Sequence, residues 1–292
     1  MKKLLSLISS FALIITISCD QISPPYTEQN TQEAEKTVLI EKFTGHQCSN
    51  CPDATRKLKE LKEYYGENLI SIAIHPGGTE FTETDLNHPY DFTTASGDII
   101  MNDMGGTIFG LPLGTVNRIS GGISNTKLWL KDDWSTQIDN LLYDDNGNIL
   151  EKNVDFEITT SFEEINKELT IQTNINILNN LEGTYNLCLI IIEDGIISPQ
   201  DDGEETIEDY EHNHIYRCSV NGTYGENLNN FDIVGLQGQS GYQATHSIIL
   251  DESANKNWTD DWNNINNCSL IAYIYNSQSL IIEHTEKIPI TY

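Results

Sequence analysis

Two cysteines, Cys48 and Cys51 in Gly45-His46-Gln47-Cys48-Ser49-Asn50-Cys51-Pro52, carry the clearest chemistry in this sequence. Thiols at that spacing can close a disulfide at the start of a helix. The first of them meets the unpaired backbone N–H groups and the positive end of the helix dipole, both of which favour its thiolate. Cys48 is therefore the candidate attacking thiol, and Cys51, one turn further in, the candidate resolving thiol. Pro52 suits a first helical turn, where its missing N–H costs little. A protonated His46 close by would lower the Cys48 pKa further; otherwise it reads as an incidental polar residue on a turn. Covalent haem attachment would need a histidine where Pro52 stands, and a structural zinc site would need a second Cys pair or two spaced histidines. Two readings remain open: thiol–disulfide exchange, or a disulfide that only staples the turn.

The elements around the pair are those a reactive turn requires. Val38-Leu39-Ile40-Glu41-Lys42-Phe43 reads as a strand and Ala54 to Tyr65 as a helix, stopped by Gly66. Leu69 to Ile74 reads as a buried strand of the parallel kind. This β-α-β order, with the Cys pair at the first strand-to-helix turn, predicts a thioredoxin-like α/β domain. Pro112 in Gly110-Leu111-Pro112 lies about sixty residues beyond Cys51, before another strand, and is expected as a cis-proline that aligns a substrate backbone. Glu41, sharing a strand face with Leu39 and Phe43, is a candidate proton relay for the resolving thiol. Residues 76–106 are polar and glycine-rich, with Leu86 to Ser96 as a candidate short helix, and could cover the redox edge or a groove. Asn125 to Leu142 reads as a further helix.

The N-terminus sends the chain out of the reducing cytoplasm. Lys2-Lys3, the apolar run Leu4 to Ile17 and Ser18-Cys19 form an export signal over residues 1–19, and the run is short of the ~20 residues that span a membrane. A cysteine at the cleavage point predicts lipidation of Cys19, hence a membrane anchor. Residues 20–36 read as a flexible tether. Removal of the signal leaves about 273 residues, which favours two domains, 37–147 and 148–292. Acidic residues number 44 against 16 basic, a formal charge of -28. Such a surface repels phosphate backbones, so nucleic acid is excluded as a partner.

Beyond Asp144-Asp145-Asn146-Gly147-Asn148, read as a turn, alternation of period two dominates. Val154, Phe156 and Ile158 share a face, as do Leu169, Ile171, Ile175 and Ile177. About seven short strands with polar turns predict an all-β sandwich. Its exposed edges could pair into a homodimer. His212 and His214 alternate on one strand and could hold a metal with Glu208 or Glu211, but no complete ligand set is visible, so no metal is expected. Cys188, Cys218 and Cys268 read as buried inert thiols, with a Cys188–Cys268 bridge as the alternative.

Taken together, Val38 to Gly45 running into Cys48-x-x-Cys51-Pro52, then Gly110-x-Pro112-x-Gly114-x-Val116-Asn117-Arg118, His212-Asn213-His214-x-x-Arg217 and Ala272-Tyr273-Ile274-Tyr275-Asn276, resemble the twenty-eight-kilodalton outer-membrane protein family of Bacteroidetes-type lipoproteins. The resemblance implies a thioredoxin-like domain followed by an immunoglobulin-like β-sandwich, on an outer-membrane lipoprotein facing the periplasm or the cell surface, with an adhesin-like role. Ser49-Asn50 stands where thioredoxin itself has Gly-Pro, and no Trp precedes Cys48. The leading expectation is a tethered protein that exchanges disulfides on exported proteins. Cys48 would attack, Cys51 resolve and Pro112 position the substrate, with no bound cofactor but with an external electron donor or acceptor. The alternative is a non-enzymatic protein that binds a surface partner.

Overall fold

The computed structural model describes residues 35–106, 109–179, 181–228, 239–258 and 264–292. The expected export signal, Cys19 and nearly all of the expected tether lie outside these residues. Among those described, no helix is long and apolar enough to cross a membrane.

The chain opens with β1 (Val38–Phe43), α1 (Cys51–Tyr65) and β2 (Leu69–Ile74), the two strands pairing in parallel. The helix stops at Gly66, whose φ of 56° lies in the left-handed region that glycine enters without a Cβ penalty. Then come α2 (Ala95–Met104), β3 (Leu113–Val116) and α3 (Trp134–Leu142). α2 starts where Thr94 accepts a hydrogen bond from the Gly97 N–H, a side-chain N-cap that the sequence reading, with its helix over Leu86 to Ser96, misplaced. The helix read from Asn125 is confined to α3; Trp129 is instead bridged to Gly114.

Strands fill the remainder: β4 (Val154–Glu163), β5 (Glu168–Ile177), β6 (Tyr185–Glu193), β7 (Ile196–Ile197), β8 (Gln200–Asp202), β9 (Glu205–Ile207), β10 (Glu211–His212), β11 (Ile215–Ser219), β12 (Glu226–Asn227), β13 (Gln239–Ile249), β14 (Cys268–Asn276) and β15 (Ile282–Pro289).

These strands overturn the expected fold class. An α/β thioredoxin-like domain followed by an all-β immunoglobulin-like sandwich would require two separate sheets. The chain instead builds one mixed sheet in the order β15-β14-β6-β11-β2-β1-β3, with β12 added on β6. β11 lies parallel to β2, with Ile215 beside Ala73, and so joins the N-terminal strands to the C-terminal ones. The protein is mostly β, with three α-helices among the described residues. The sheet also curls: at its two edges, the Ile282 N–H donates to the Asn117 carbonyl at 3.0 Å.

Residues paired across neighbouring strands point to the same side, so Lys42, Ala73, Ile215, Glu193 and Cys268 form one row. That face is covered at one end by α1 and α3, which bury Val38, Ile40, Ala54, Leu61, Trp134 and Ile138. At the other end lies the three-stranded sheet β13-β5-β4, whose Ile171 and Ile175 pack on Leu189, Ile191, Leu270 and Ile274. The opposite face carries Leu39, Phe43, Ile72, Ile190 and Tyr273 against Ile100, Met101 and Met104 of α2. β6 is thus covered on both sides, and nearly all its residues are buried.

Candidate functional site

β1 delivers the chain to the Cys turn with its last two polar residues on opposite faces. Glu41, the proposed relay, points away from α1. Its carboxylate accepts from Arg118 Nε at 2.8 Å, Arg118 Nη2 at 2.5 Å and Thr115 Oγ1 at 2.8 Å, while Arg118 also donates to the Tyr273 hydroxyl at 2.9 Å. Burial opposes the Arg118 charge, and Glu41 beside it more than compensates, holding the guanidinium pKa above its ordinary value. The residue beneath the first turn of α1 is Lys42. Its Nζ donates to Thr55 Oγ1 at 2.6 Å, and burial lowers its pKa to about 8.

Cys48 and Cys51 are joined in a disulfide, with Cα atoms 5.3 Å apart. The two residues are only 2% and 1% exposed. Two segments close over them. From the loop after β2, the Phe81 carbonyl accepts from the Gln47 N–H at 3.0 Å, and the Glu83 carbonyl accepts from His46 Nε2 and Gln47 Nε2 at 2.8 and 2.6 Å. The backbones come so close that a Cβ on Gly45 would collide with the Phe81 carbonyl. From the β8–β9 hairpin, the Gln200 side chain donates to the Gly45 and Cys48 carbonyls at 3.1 and 3.3 Å. The Asp201 and Gly203 N–H groups take the carbonyls of His46 and Ser49 at 2.8 and 2.9 Å. Arg56 of α1 adds a two-pronged contact to Asp202, at 2.8 and 3.1 Å. Four carbonyls of the turn, those of Gly45, His46, Cys48 and Ser49, are therefore already paired within the molecule.

Pro112 follows a cis Leu111–Pro112 bond. Leu113 pairs with Phe43, so the proline sits at the same end of the sheet as the Cys turn.

The family model described as "Outer membrane protein Omp28" matches residues 106–290, well over half of the chain. The chain belongs to the Omp28 family. The matched stretch begins beyond the Cys turn and takes in Pro112, Arg118 and every strand from β3 to β15. Family membership places this protein at the outer membrane. Among solved structures, HBP35 of Porphyromonas gingivalis superposes with a TM-score of 0.59 at 15% identity, covering 88% of this chain and 76% of its own, and so shares the fold. A domain of the outer membrane lipoprotein Omp28 from Porphyromonas gingivalis gives 0.33 at 14% identity, covering 48% of this chain and 89% of its own. A protein from Agrobacterium tumefaciens gives 0.47 at 13% identity, over 87% and 95%. No curated protein matches.

In this Omp28-family protein His212 and His214 do not act together. His212 is buried, with Nε2 donating to the Ser198 carbonyl at 3.1 Å. His214 has a φ of 60° and turns its Nδ1 to Asp194 at 2.8 Å. Among the described residues no group of three or more His, Cys, Asp or Glu is placed to hold a metal. Cys188, Cys218 and Cys268 are free and buried. Cys188 and Cys268 lie on opposite faces of the sheet, which rules out a bridge between them. Burial pushes the Cys188 thiol up to about 11 and the Cys218 thiol up to about 12, so neither is a nucleophile at neutral pH.

Sequence reasoning missed the surroundings of the disulfide. His46, His75, His88 and His212 are all buried there, among Tyr90, Phe92 and Tyr210. Lys42 marks a polar spot on a strand face where Val38 and Ile40 are apolar, but nothing in the sequence ties four distant histidines to it.

Proposed function

We propose that this outer-membrane protein is a non-enzymatic binding protein, held at the membrane through lipid on Cys19, whose Cys48–Cys51 disulfide is a structural staple. The observation that carries the reading is the burial of both sulfur-bearing residues beneath two hydrogen-bonded segments. Disulfide exchange needs in-line approach of a thiolate to one sulfur, and access is one of the terms that set its rate. Here that approach is blocked by the 79–92 segment and the 200–203 hairpin. A four-residue loop closed by a disulfide contributes about 2 kcal/mol by restricting the unfolded chain. That suffices to hold the sharp passage from β1 into α1.

Partner contact then falls to the outer surface. The three-stranded sheet presents Glu157, Thr159, Gln172, Asn174, Gln243 and Thr245 around a shallow depression of about 650 Å³. Ile158 and Ala244 line it as well, so a partner there would meet both hydrogen-bonding and apolar groups.

The test is a turnover assay with insulin as the disulfide substrate and dithiothreitol as electron donor. The full folded protein is expected to leave insulin reduction at the buffer rate, and Cys51→Ala to form no mixed disulfide through Cys48. Catalysed precipitation of insulin, or a trapped Cys48 adduct, would establish exchange instead.

A further inference from the structure

Four histidines from four separate segments meet over the row Lys42–Ala73–Ile215, beside the disulfide. His46 comes from the Cys turn, His75 from the end of β2, His88 from the covering loop and His212 from β10. The rings pack on one another and on Phe92: His46 and His88 have centroids 5.2 Å apart, His75 stacks on Phe92 at 4.6 Å, and His212 meets Phe92 at 4.5 Å. His46 is 0% exposed, His75 2% and His212 4%.

Their polar contacts differ in a way that decides what acid would do. His88 lies between two carboxylates, Asp85 at 3.3 Å and Asp201 at 3.1 Å. His46 meets only the Glu83 backbone carbonyl and His212 only those of Ser198 and Pro199, and neither ring nitrogen of His75 has any partner. The charged group that faces them from β1 is Lys42, which repels an imidazolium. Asp85 and Asp91 favour a charge on His46, but burial outweighs them and lowers its pKa. Tyr90 and Tyr210 complete the wall, and Tyr90 is tied through its hydroxyl to Arg217 at 2.6 Å.

We infer that this histidine cluster is an acid-sensitive lock: protonation of His46, His75 and His212 releases the covering loop and the β8–β10 segment and opens the Cys48–Cys51 disulfide to solvent. The inference rests on the reading of that disulfide as sealed at neutral pH. The sign follows from burial. Burial lowers the pKa of His75 well below the ordinary 6.5 and that of His212 to about 3, so both are neutral in the closed form. An opened segment returns them to ordinary values. The closed state is therefore favoured above about pH 6.5 and loses ground as pH falls below it. At about pH 5 each released ring multiplies the opening constant by about thirty, and His75 with His212 by about a thousand.

The experiment follows reduction of the disulfide in the intact folded protein by tris(2-carboxyethyl)phosphine, read by mass spectrometry after acid quench. Each rate is divided by that of an unstructured peptide disulfide under the same conditions, and tryptophan fluorescence monitors global folding. The corrected rate is expected to rise about a thousandfold between about pH 7.5 and pH 5 with fluorescence unchanged. His75→Phe, which keeps the stack on Phe92, and His212→Gln should each remove a factor of about thirty from that rise. Slow reduction at both pH values, or a thousandfold rise left undiminished in both variants, overturns the lock and leaves the sealed staple standing. Fast reduction already at pH 7.5 overturns both. Loss of fluorescence in step with reduction assigns the acid response to global unfolding and overturns the lock as well.

Discussion

Glu41→Ala is expected to destabilise the protein by about 3–5 kcal/mol, because it strands the Arg118 guanidinium in the interior with only the Tyr273 hydroxyl and two aromatic faces. Arg118 and Glu41 are 4% and 0% exposed, so water cannot replace the lost carboxylate. The pair itself is a weak source of stability, since two charges had to be desolvated to form it. Replacing both partners, as in Glu41→Leu with Arg118→Met, should therefore recover most of the loss. Urea unfolding of the two variants separates these cases. The proton relay expected from the sequence makes a different forecast, a change in thiol chemistry with little change in stability. Equal stability of Glu41→Ala and the natural protein would favour that role.

Arg217→Met is the second change with a large expected effect. Arg217 stands at a bulge in β11, with its Nε 3.0 Å from Glu193 and its guanidinium over the rings of Trp258 and Tyr90. It is 2% exposed, and Glu193 3%. Methionine fills much of the space but leaves Glu193 buried, with Trp258 Nε1 at 3.2 Å among its remaining donors. A loss of about 3–5 kcal/mol is expected in urea unfolding. The variant also cuts the bond from Arg217 to Tyr90, which pins the covering loop to the sheet. Hydrogen exchange over residues 76–94 should therefore rise beyond what the global loss accounts for. Uniform loss of protection across the chain would contradict that second effect.

How much of this could be read beforehand depends on whether the signal was local. The passage from β1 through the Cys pair into α1 was legible, because strand pattern, helix pattern, Pro52 and Gly66 all lie within one short stretch. The alternation of β4 and β5 was legible because each has one face in solvent. The junction that makes a single sheet was not. Parallel pairing of β11 with β2 joins residues far apart in the chain and leaves no periodic mark. A clue was present in β6, where Leu187 to Ile192 is an unbroken apolar run. Such a run signals a strand covered on both faces, inside a larger sheet rather than on one wall of a separate sandwich. The histidine cluster was illegible for the same reason, since four loops and strand ends supply one ring each.

The claim on which the account rests is that the Cys48–Cys51 disulfide is sealed in the folded protein. Its most direct test compares the rate of reduction at about pH 7.5 in buffer and in urea sufficient to unfold the chain. If the covering segments open only by breaking their hydrogen bonds to the turn, native reduction is at least a thousandfold slower than in the unfolded chain, about 4 kcal/mol of protection. Native and unfolded rates within about tenfold of each other would show an accessible sulfur, and would return the Cys pair to exchange chemistry.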